Sequence, residues 1–289
     1  HGAVVHREAA GLLAGYRPNV YIDTSGFQVL RQRREWAQTL SWFKQQGLVR
    51  KLLFGTDWPI HRQYGDLDSA VIYGGSGHDT IYGGNNGSHG VDAADTIRGG
   101  SGNDTIYGET GDDTIRGGSG AGDIFGNEGD DDVRGGSGAD YIEGGDGEDV
   151  LRGGRGADEL LGQAGADIIY GQRGDDSIDG GDGADNLFGG RNNDSIIGGA
   201  GNDGIMGGSG DDIAWGGDGD DDIDGGSGDD ELYGDGGRDE LVGGTGDHDD
   251  LNGGDGRDTL RDADGVIAAN GGAGWDRMYL NLRAGWTNK

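Results

Sequence analysis

The 289-residue chain contains no cysteine, only two prolines and few aromatic residues. The absence of cysteine excludes disulfide bonds and any metal site built on thiolates. No apolar run of about 18 residues occurs, so we expect no membrane-spanning helix. What the chain has in abundance is glycine, with 70 residues, together with aspartate and glutamate.

Basic residues are also scarce: 22 Lys and Arg stand against 54 Asp and Glu, which gives a net charge of −32 at pH 7. The acidic excess lies after residue 70, because residues 1–70 hold nine basic and six acidic side chains. This charge argues against nucleic acid and anionic membranes as partners, and it favours cations. The competing interpretation is an acidic disordered segment, and we expect that state when no metal is bound.

Residues 99–242 repeat a nine-residue pattern without interruption, in 16 copies such as Gly99–Tyr107 and Gly135–Glu143. The pattern is Gly-Gly-x-Gly-x-Asp-x-U-x, where U is a large aliphatic residue. A period of nine rather than three excludes collagen, and a fixed short period predicts a solenoid. We number the nine places 1 to 9, so that the aspartate is at position 6 and the aliphatic residue at position 8.

Positions 7 to 9 predict a three-residue strand, and positions 1 to 6 predict a glycine-rich turn. Side chains alternate between the two faces of a strand, so the residues at position 8 point into a narrow core between two sheets. Two consecutive repeats then form one coil, with one strand in each of two parallel sheets. Glycines let backbone carbonyls converge in the turn, where position 6 adds a carboxylate. Calcium takes about six to eight oxygen ligands, which two stacked turns can supply and one turn cannot.

Stacking places each position-6 aspartate about 4.8 Å from the aspartate two repeats away. Like charges at this distance repel each other even in water, and calcium between the turns would turn repulsion into attraction. An aspartate that served only to make the chain soluble would not need to occur at the same position of each repeat. The predicted calcium ligands are Asp79, Asp95, Asp104, Asp113, Asp131, Asp140, Asp149, Asp158, Asp167, Asp176, Asp185, Asp194, Asp203, Asp212, Asp221, Asp230, Asp239, Asp249 and Asp258.

This stretch, about residues 74–262, resembles the RTX (repeats-in-toxin) family of secreted bacterial proteins. The resemblance implies an all-β fold, a right-handed parallel β-roll solenoid with calcium ions inside its turns. It also implies an extracellular location, reached through type I export machinery that reads an uncleaved C-terminal signal. The sequence leaves the identity of a cell-surface partner open.

The repeat departs from its pattern at several places, one of which is Asn192 in place of a turn glycine. Gly83–Arg98 carries a seven-residue insertion relative to the regular repeat, and Gly243–Asn252 has one extra residue. Gly122 stands at position 6, with Asp123 one place late, and Ala214 is a small residue in the aliphatic row. We expect weaker or missing calcium binding at Gly122 and at both insertions.

Position 9 is predicted to face solvent in both sheets. In one sheet it carries four arginines 18 residues apart and then Tyr170, Phe188 and Met206, and in the other it carries mostly apolar and acidic residues. The arginines are Arg98, Arg116, Arg134 and Arg152. They either bind an anion or another acidic surface, or they pair with nearby acids such as Asp132. The outward apolar residues are either a partner site or scattered surface residues.

Two segments flank the repeats, which we place at residues 71–262. Residues 263–289 contain one detached repeat with a longer strand, beginning at Gly271, and are predicted to form a C-terminal cap. Residues 1–70 alternate strand-like and helix-like stretches, which is typical of a small βαβ unit.

Within residues 1–70, Asn19–Gly26 and Lys51–Pro59 resemble the last two barrel strands of amidohydrolase-related metal-dependent hydrolases. The resemblance implies a TIM-barrel fragment in which Asp57 would ligate Zn²⁺ or a similar ion and His1 would be an acid/base group. The family's His-x-His pair is absent, and a catalytic zinc ion needs about three protein ligands. We therefore expect this chain alone to be inactive. The alternatives to a calcium-binding module are a hydrolase with a truncated barrel and an adhesin-like structural solenoid.

Overall fold

The computed structural model describes residues 71–84, 94–262 and 268–280. In these residues the chain forms 25 β-strands and no helix. The strands are β1 Val71–Ser76, β2 Thr80–Gly84, β3 Thr96–Ser101, β4 Thr105–Thr110, β5 Thr114–Ser119, β6 Asp123–Glu128, β7 Asp132–Ser137, β8 Tyr141–Asp146, β9 Val150–Arg155, β10 Glu159–Ala164, β11 Ile168–Arg173, β12 Ser177–Asp182, β13 Asn186–Arg191, β14 Ser195–Ala200, β15 Gly204–Ser209, β16 Ile213–Asp218, β17 Asp222–Ser227, β18 Glu231–Gly237, β19 Glu240–Thr245, β20 Asp250–Asn252, β21 Asp255–Gly256, β22 Thr259–Asp262, β23 Ala268–Asn270, β24 Ala273–Gly274 and β25 Arg277–Leu280.

Successive strands alternate between two parallel sheets, which makes the fold a β-solenoid of about 10 turns. Sheet one has 12 strands in the order β1-β3-β5-β7-β9-β11-β13-β15-β17-β19-β22-β25. Sheet two has 13 strands. Eleven of them follow the order β2-β4-β6-β8-β10-β12-β14-β16-β18-β20-β23. The other two are β21, which pairs with β18, and β24, which pairs with β21. Equivalent residues two repeats apart pair with each other, for example Thr96 with Thr114, which confirms the predicted coil of two repeats.

Most strands are longer than the three residues that the sequence predicts. Most strands have six residues and run from position 7 through position 3 of the next repeat. The glycines assigned to the turn therefore belong to the sheet, where Gly100 pairs with Gly118. Such close stacking is possible only without side chains, because a Cβ on Gly118 would overlap the carbonyl oxygen of Gly100. The prediction of three-residue strands was wrong because it treated glycine only as a turn residue.

The hydrophobic core is the row of position-8 side chains, one from each repeat. Positions 6, 8 and 1 share the inner face of each coil, because side chains alternate along the strand. Ala214 lies in this row, as predicted. The buried row consists of Ile81, Ile97, Ile106, Ile115, Ile124, Val133, Ile142, Leu151, Leu160, Ile169, Ile178, Leu187, Ile196, Ile205, Ala214, Ile223, Leu232, Leu241, Leu251 and Leu260.

The irregular repeats leave the sheets continuous. Across the seven-residue insertion, Val71 of β1 still pairs with Thr96 of β3. Across the single extra residue, Glu231 of β18 pairs with Asp250 of β20. At the C-terminal end, Arg277 pairs with Thr259 at the ordinary spacing, so the repeat that the sequence separates from the others stacks on the roll.

The residues at position 9 face outward, as predicted. Tyr107 and Phe125 stack on each other in sheet two, with ring centroids 4.9 Å apart. In sheet one, Arg152 forms an ion pair with Asp132. The predicted pairing of arginine with a nearby acid is therefore confirmed for Arg152.

In the described part of the chain there is no helix with the length and apolarity needed to cross a membrane. The predicted α/β unit of residues 1–70 lies outside the described residues, and so does its implied barrel fragment.

Candidate metal sites

The aspartates at position 6 form two columns inside the roll, one at each end of the core. They point inward because position 6 lies two residues before the buried position 8. All the predicted ligands lie in these columns, and each is at most 5 % exposed. Column one consists of Asp79, Asp104, Asp140, Asp158, Asp176, Asp194, Asp212, Asp230 and Asp249. Column two consists of Asp95, Asp113, Asp131, Asp149, Asp167, Asp185, Asp203, Asp221, Asp239 and Asp258.

In every aspartate after the first of each column, one carboxylate oxygen holds neighbouring coils together. The backbone N–H of Asp149 donates to Oδ1 of Asp167 at 2.8 Å, and the N–H of Asp167 donates to Oδ1 of Asp185 at 2.7 Å. The same bond recurs along both columns, so Oδ1 caps the backbone of the preceding coil. This bond leaves the second oxygen of each carboxylate for another partner.

The second oxygen, Oδ2, is buried and accepts no hydrogen bond from any residue that the structure describes. A buried carboxylate oxygen without a partner is strongly unfavourable. This holds for Asp104, Asp113, Asp131, Asp140, Asp149, Asp158, Asp167, Asp176, Asp185, Asp194, Asp203, Asp212, Asp221, Asp230, Asp239, Asp249 and Asp258.

Oδ2 faces the position-1 glycine of its own repeat, and in most repeats a backbone carbonyl lies beside it. A Cβ on Gly207 would lie 2.6 Å from Oδ2 of Asp212 and 2.6 Å from the carbonyl oxygen of Gly225 in the next coil. The glycine therefore leaves room in which carboxylate and carbonyl oxygens are neighbours. Such a purely oxygen donor set suits a hard cation such as calcium.

Burial raises the pKa of several column aspartates, among them Asp131, Asp194 and Asp167. The pKa of Asp131 rises to about 8, although a backbone hydrogen bond from Asp113 lowers it, and the charges of Asp113 and Asp149 raise it further. The pKa of Asp194 also rises to about 8, and that of Asp167 to about 7, with burial again the main cause. Negative charge in the columns is therefore unfavourable unless a cation compensates it.

Column one has a gap at Gly122, as predicted. The backbone at Gly122 makes the same hydrogen bond as most other position-6 residues, because its N–H donates to Oδ1 of Asp140 at 2.9 Å. No carboxylate is present there, since the side chain of Asp123 is exposed on the outside of the coil. The predicted weakness of calcium binding at this turn remains a prediction.

Column two extends one coil further than predicted. The N–H of Asp258 donates to Oδ1 of Asp276 at 3.1 Å, and a Cβ on Gly271 would lie 2.5 Å from Oδ2 of Asp276. The signal was present in the sequence, because Asp276 is at position 6 of the repeat that begins at Gly271. Its assignment to a cap left it out of the predicted ligands.

A second ladder at position 5 was also missed. The N–H of Asp211 donates to Oδ1 of Asn193 at 3.0 Å, and the N–H of Asp229 donates to Oδ1 of Asp211 at 3.0 Å. These side chains are exposed, and their bonds point the opposite way along the roll from those of the columns. The frequent Asn and Asp at position 5 were the available signal.

In the described ranges, no group of three or more His, Cys, Asp or Glu side chains converges on one point. A cation in a column would therefore need backbone carbonyls as further ligands, which agrees with the expectation for calcium and not with that for zinc. The candidate hydrolase residues His1 and Asp57, and the zinc ion implied with them, lie outside the described residues.

Comparison with known proteins gives one family. A family model described as the RTX calcium-binding nonapeptide repeat (4 copies) matches residues 64–86, 89–124, 125–160, 153–187, 161–195, 179–214 and 215–247, which together make up well over half of the chain. The search of curated proteins with this sequence found no match.

Proposed function

The chain belongs to the RTX calcium-binding nonapeptide repeat family, and on that premise we propose that it binds a series of calcium ions along its two aspartate columns and folds as they bind. The observation that carries this proposal is the row of buried Oδ2 atoms that have no hydrogen-bond partner among the described residues. Each of these atoms has a glycine opposite, and most have a backbone carbonyl oxygen beside them, so oxygen donors of the kind that calcium prefers are already in place.

In this proposal the aspartates, the backbone carbonyls and the glycines have different roles. Oδ1 of each column aspartate holds the preceding coil, Oδ2 and the neighbouring carbonyl oxygens hold the ion, and position-1 glycine keeps the space open. Bound calcium supplies the positive charge that the buried carboxylates lack. Because the core contains only one aliphatic residue per repeat, folding that depends on the metal is the expected behaviour.

We propose an extracellular location, in keeping with a family whose members are typically secreted. Extracellular calcium modules typically bind with dissociation constants of about 10⁻⁴–10⁻³ M. A chain with such affinity would stay unfolded where calcium is scarce, as type I export requires, and would fold outside. The proposed module is residues 71–262, with residues 263–289 as its cap and residues 1–70 as a separate unit. No observation on the described residues favours the hydrolase or the adhesin alternative.

Far-UV circular dichroism of the full chain at pH 8 tests this proposal. In excess chelator we expect a coil spectrum, and added millimolar calcium should produce a β-sheet spectrum. Magnesium at equal concentration should substitute poorly, because it requires strict octahedral geometry and retains its waters. A sheet spectrum that persists in excess chelator, or that magnesium restores equally well, would overturn the proposal.

A further inference from the structure

The two outer faces of the roll carry opposite charge. Within the described strands every arginine lies in sheet one, and sheet two contains no basic residue. These arginines are Arg98, Arg116, Arg134, Arg152, Arg155, Arg173, Arg191, Arg261 and Arg277. The net charge of the chain is −32. Because all the strand arginines lie in one sheet, the outer face of that sheet carries a cationic surface on an otherwise acidic protein.

Five of these arginines line one cleft on the outside of sheet one, which we call the arginine cleft. Its volume is about 710 Å³, and its floor is the glycine backbone of β5, β7 and β9. All five side chains are exposed, and none forms an ion pair with a described residue. They are Arg116, Arg134, Arg155, Arg173 and Arg191.

The two remaining arginines of this region already have partners. Arg152 pairs with Asp132, and Arg98 donates to the hydroxyl of Tyr73 at 2.8 Å. Asp132 is also the only acidic residue in the sheet-one strands from β3 to β15. The sheet itself therefore offers the arginine cleft no further anions, and an anionic partner has to come from elsewhere.

The opposite side of the same coils is acidic. The strands of sheet two from β4 to β12 carry eight carboxylates at positions 2, 3, 7 and 9, all of them exposed or partly exposed, which we call the acidic face. They are Glu109, Asp123, Glu128, Glu143, Asp146, Glu159, Asp179 and Asp182.

We propose that copies of this chain associate face to face, with the arginine cleft of one roll against the acidic face of another. Between β4 and β13 every strand of either face carries at least one of these charges, and neighbouring strands of a sheet are about 4.8 Å apart. A second roll has the same spacing because it has the same fold, so charges on the two faces can be matched coil by coil. The cleft and the acidic face also occupy the same stretch of the roll, between β4 and β13, so the two surfaces have similar lengths.

This interface joins two different surfaces, so each added copy presents a free surface to the next. Such heterologous contacts produce open assemblies rather than closed dimers. Exposed ion pairs are individually weak and are screened by salt. We therefore expect the association to depend on the number of aligned pairs and to weaken about tenfold or more between low and high salt.

Sedimentation velocity of the full chain in millimolar calcium tests the proposal. At low salt the mass should increase with protein concentration beyond that of a dimer, and high salt should return it to the monomer. Two charge-reversed variants should each remain monomeric. The first is Arg116→Glu with Arg134→Glu and Arg173→Glu, and the second is Glu128→Lys with Asp146→Lys and Asp182→Lys.

Mixing the two variants should restore association, because each retains the surface that the other lacks. Arg238→Glu is the matched control, since Arg238 is exposed in a turn outside both faces, and it should associate like the original chain. Circular dichroism in the same buffer shows whether each variant is folded, so loss of association is distinguished from loss of calcium-dependent folding.

A folded chain that stays monomeric at every concentration would overturn the proposal, and so would a mixture of variants that does not associate. A monomer that binds a sulfated polysaccharide such as heparin, and loses this binding with the first variant, would also overturn it. That result would assign the arginine cleft to an external polyanion.

Discussion

At the scale of single residues, each position-6 carboxylate has two separate roles. Oδ1 of Asp167 accepts a hydrogen bond from the backbone N–H of Asp149, whereas Oδ2 is buried and has no hydrogen-bond partner in the part of the chain that the structure describes. The first role needs only an acceptor oxygen, but the second needs a charge. Asparagine retains the acceptor and removes the charge, so the two roles can be tested apart.

We expect Asp167→Asn to raise the calcium midpoint several-fold and Asp167→Ala to raise it further. Asp167 stacks between Asp149 and Asp185 and so contributes to the sites on both sides, and alanine also removes the bond to the preceding coil. Calcium titrations followed by circular dichroism measure both midpoints. Asp123→Ala is the control, because its side chain is exposed and its midpoint should not change. Equal shifts for Asp123→Ala and Asp167→Ala would contradict the assignment of Asp167 to a site.

Several non-glycine residues occupy backbone conformations that favour glycine. Gln172 has a φ of 80° at position 2, where a residue with a Cβ is destabilised by about 1–2 kcal/mol. The others are Glu109, Asn127, Gln163, Asn192 and Asp235.

Replacing Gln172 with glycine should stabilise the calcium-bound roll by about 0.5–1 kcal/mol, after subtraction of the greater backbone entropy that glycine loses on folding. Urea unfolding at saturating calcium measures the change. Gln172→Ala retains the Cβ and the unfavourable φ, so it should give no gain. A glycine variant less stable than the original chain would show that the Gln172 side chain itself contributes to stability.

At the scale of the strand and its turn, the gap at Gly122 can be filled. A Cβ there would lie 3.4 Å from the carbonyl oxygen of Asp104 and 3.6 Å from Oδ1 of Asp140, both ordinary contacts. The tip of Ile124 is the nearest side chain to Gly117, in the space where other repeats place Oδ2. A side-chain rotation of Ile124 would make room for a carboxylate.

We therefore expect Gly122→Asp to lower the calcium midpoint and to increase the number of ions bound, because it completes column one. Isothermal titration calorimetry measures the number, and circular dichroism measures the midpoint. Gly122→Asn, which has the same size without the charge, should give neither effect. An aspartate variant that behaves like the asparagine variant would mean that the turn cannot form a site.

The sequence predicted those features of the strands and turns that depend on spacing alone. The period of nine fixes which residues stack, so the two-repeat coil, the buried row from Ile81 to Leu260 and both aspartate columns could be predicted. Strand length could not, because glycine at positions 1 and 2 fits a turn as well as a closely stacked sheet. That error concealed the second row of the cleft, Arg155, Arg173 and Arg191, since position 3 was placed in a turn.

At the scale of the whole molecule, the buried aspartates give the metal-free roll an inverted dependence on pH. Burial raises the pKa of Asp131 and Asp194 from 3.8 to about 8, and that of Asp167 to about 7. The folded chain therefore binds more protons than the unfolded chain between these values. The stability that protonation provides is fully present below pH 3.8 and is lost as the pH rises towards 8.

In excess chelator, acidification from pH 8 to pH 4 should therefore increase the β-sheet signal in circular dichroism. With calcium the dependence should reverse, because ion binding requires ionised carboxylates, and the calcium midpoint should fall as the pH rises. Asp123→Ala should follow the original chain in both experiments, since its side chain lies outside the columns. A metal-free chain that gains sheet signal only as the pH rises would contradict the inverted dependence.

Because successive strands alternate between two sheets, the sheet to which a strand belongs depends on whether an odd or an even number of repeats precedes it. We call this dependence the parity of the roll. Loss of a single nonapeptide from the gene would move every later strand to the other sheet, so any arginines beyond the deletion would appear on the acidic side. Loss or duplication of a complete coil of two repeats leaves every remaining strand on its own side. The two longer repeats, which place Val71 beside Thr96 and Glu231 beside Asp250, keep this parity because their extra residues do not move later strands to the other sheet. An even number of nonapeptides is therefore the unit by which such a chain can lengthen or shorten while both faces retain their charge.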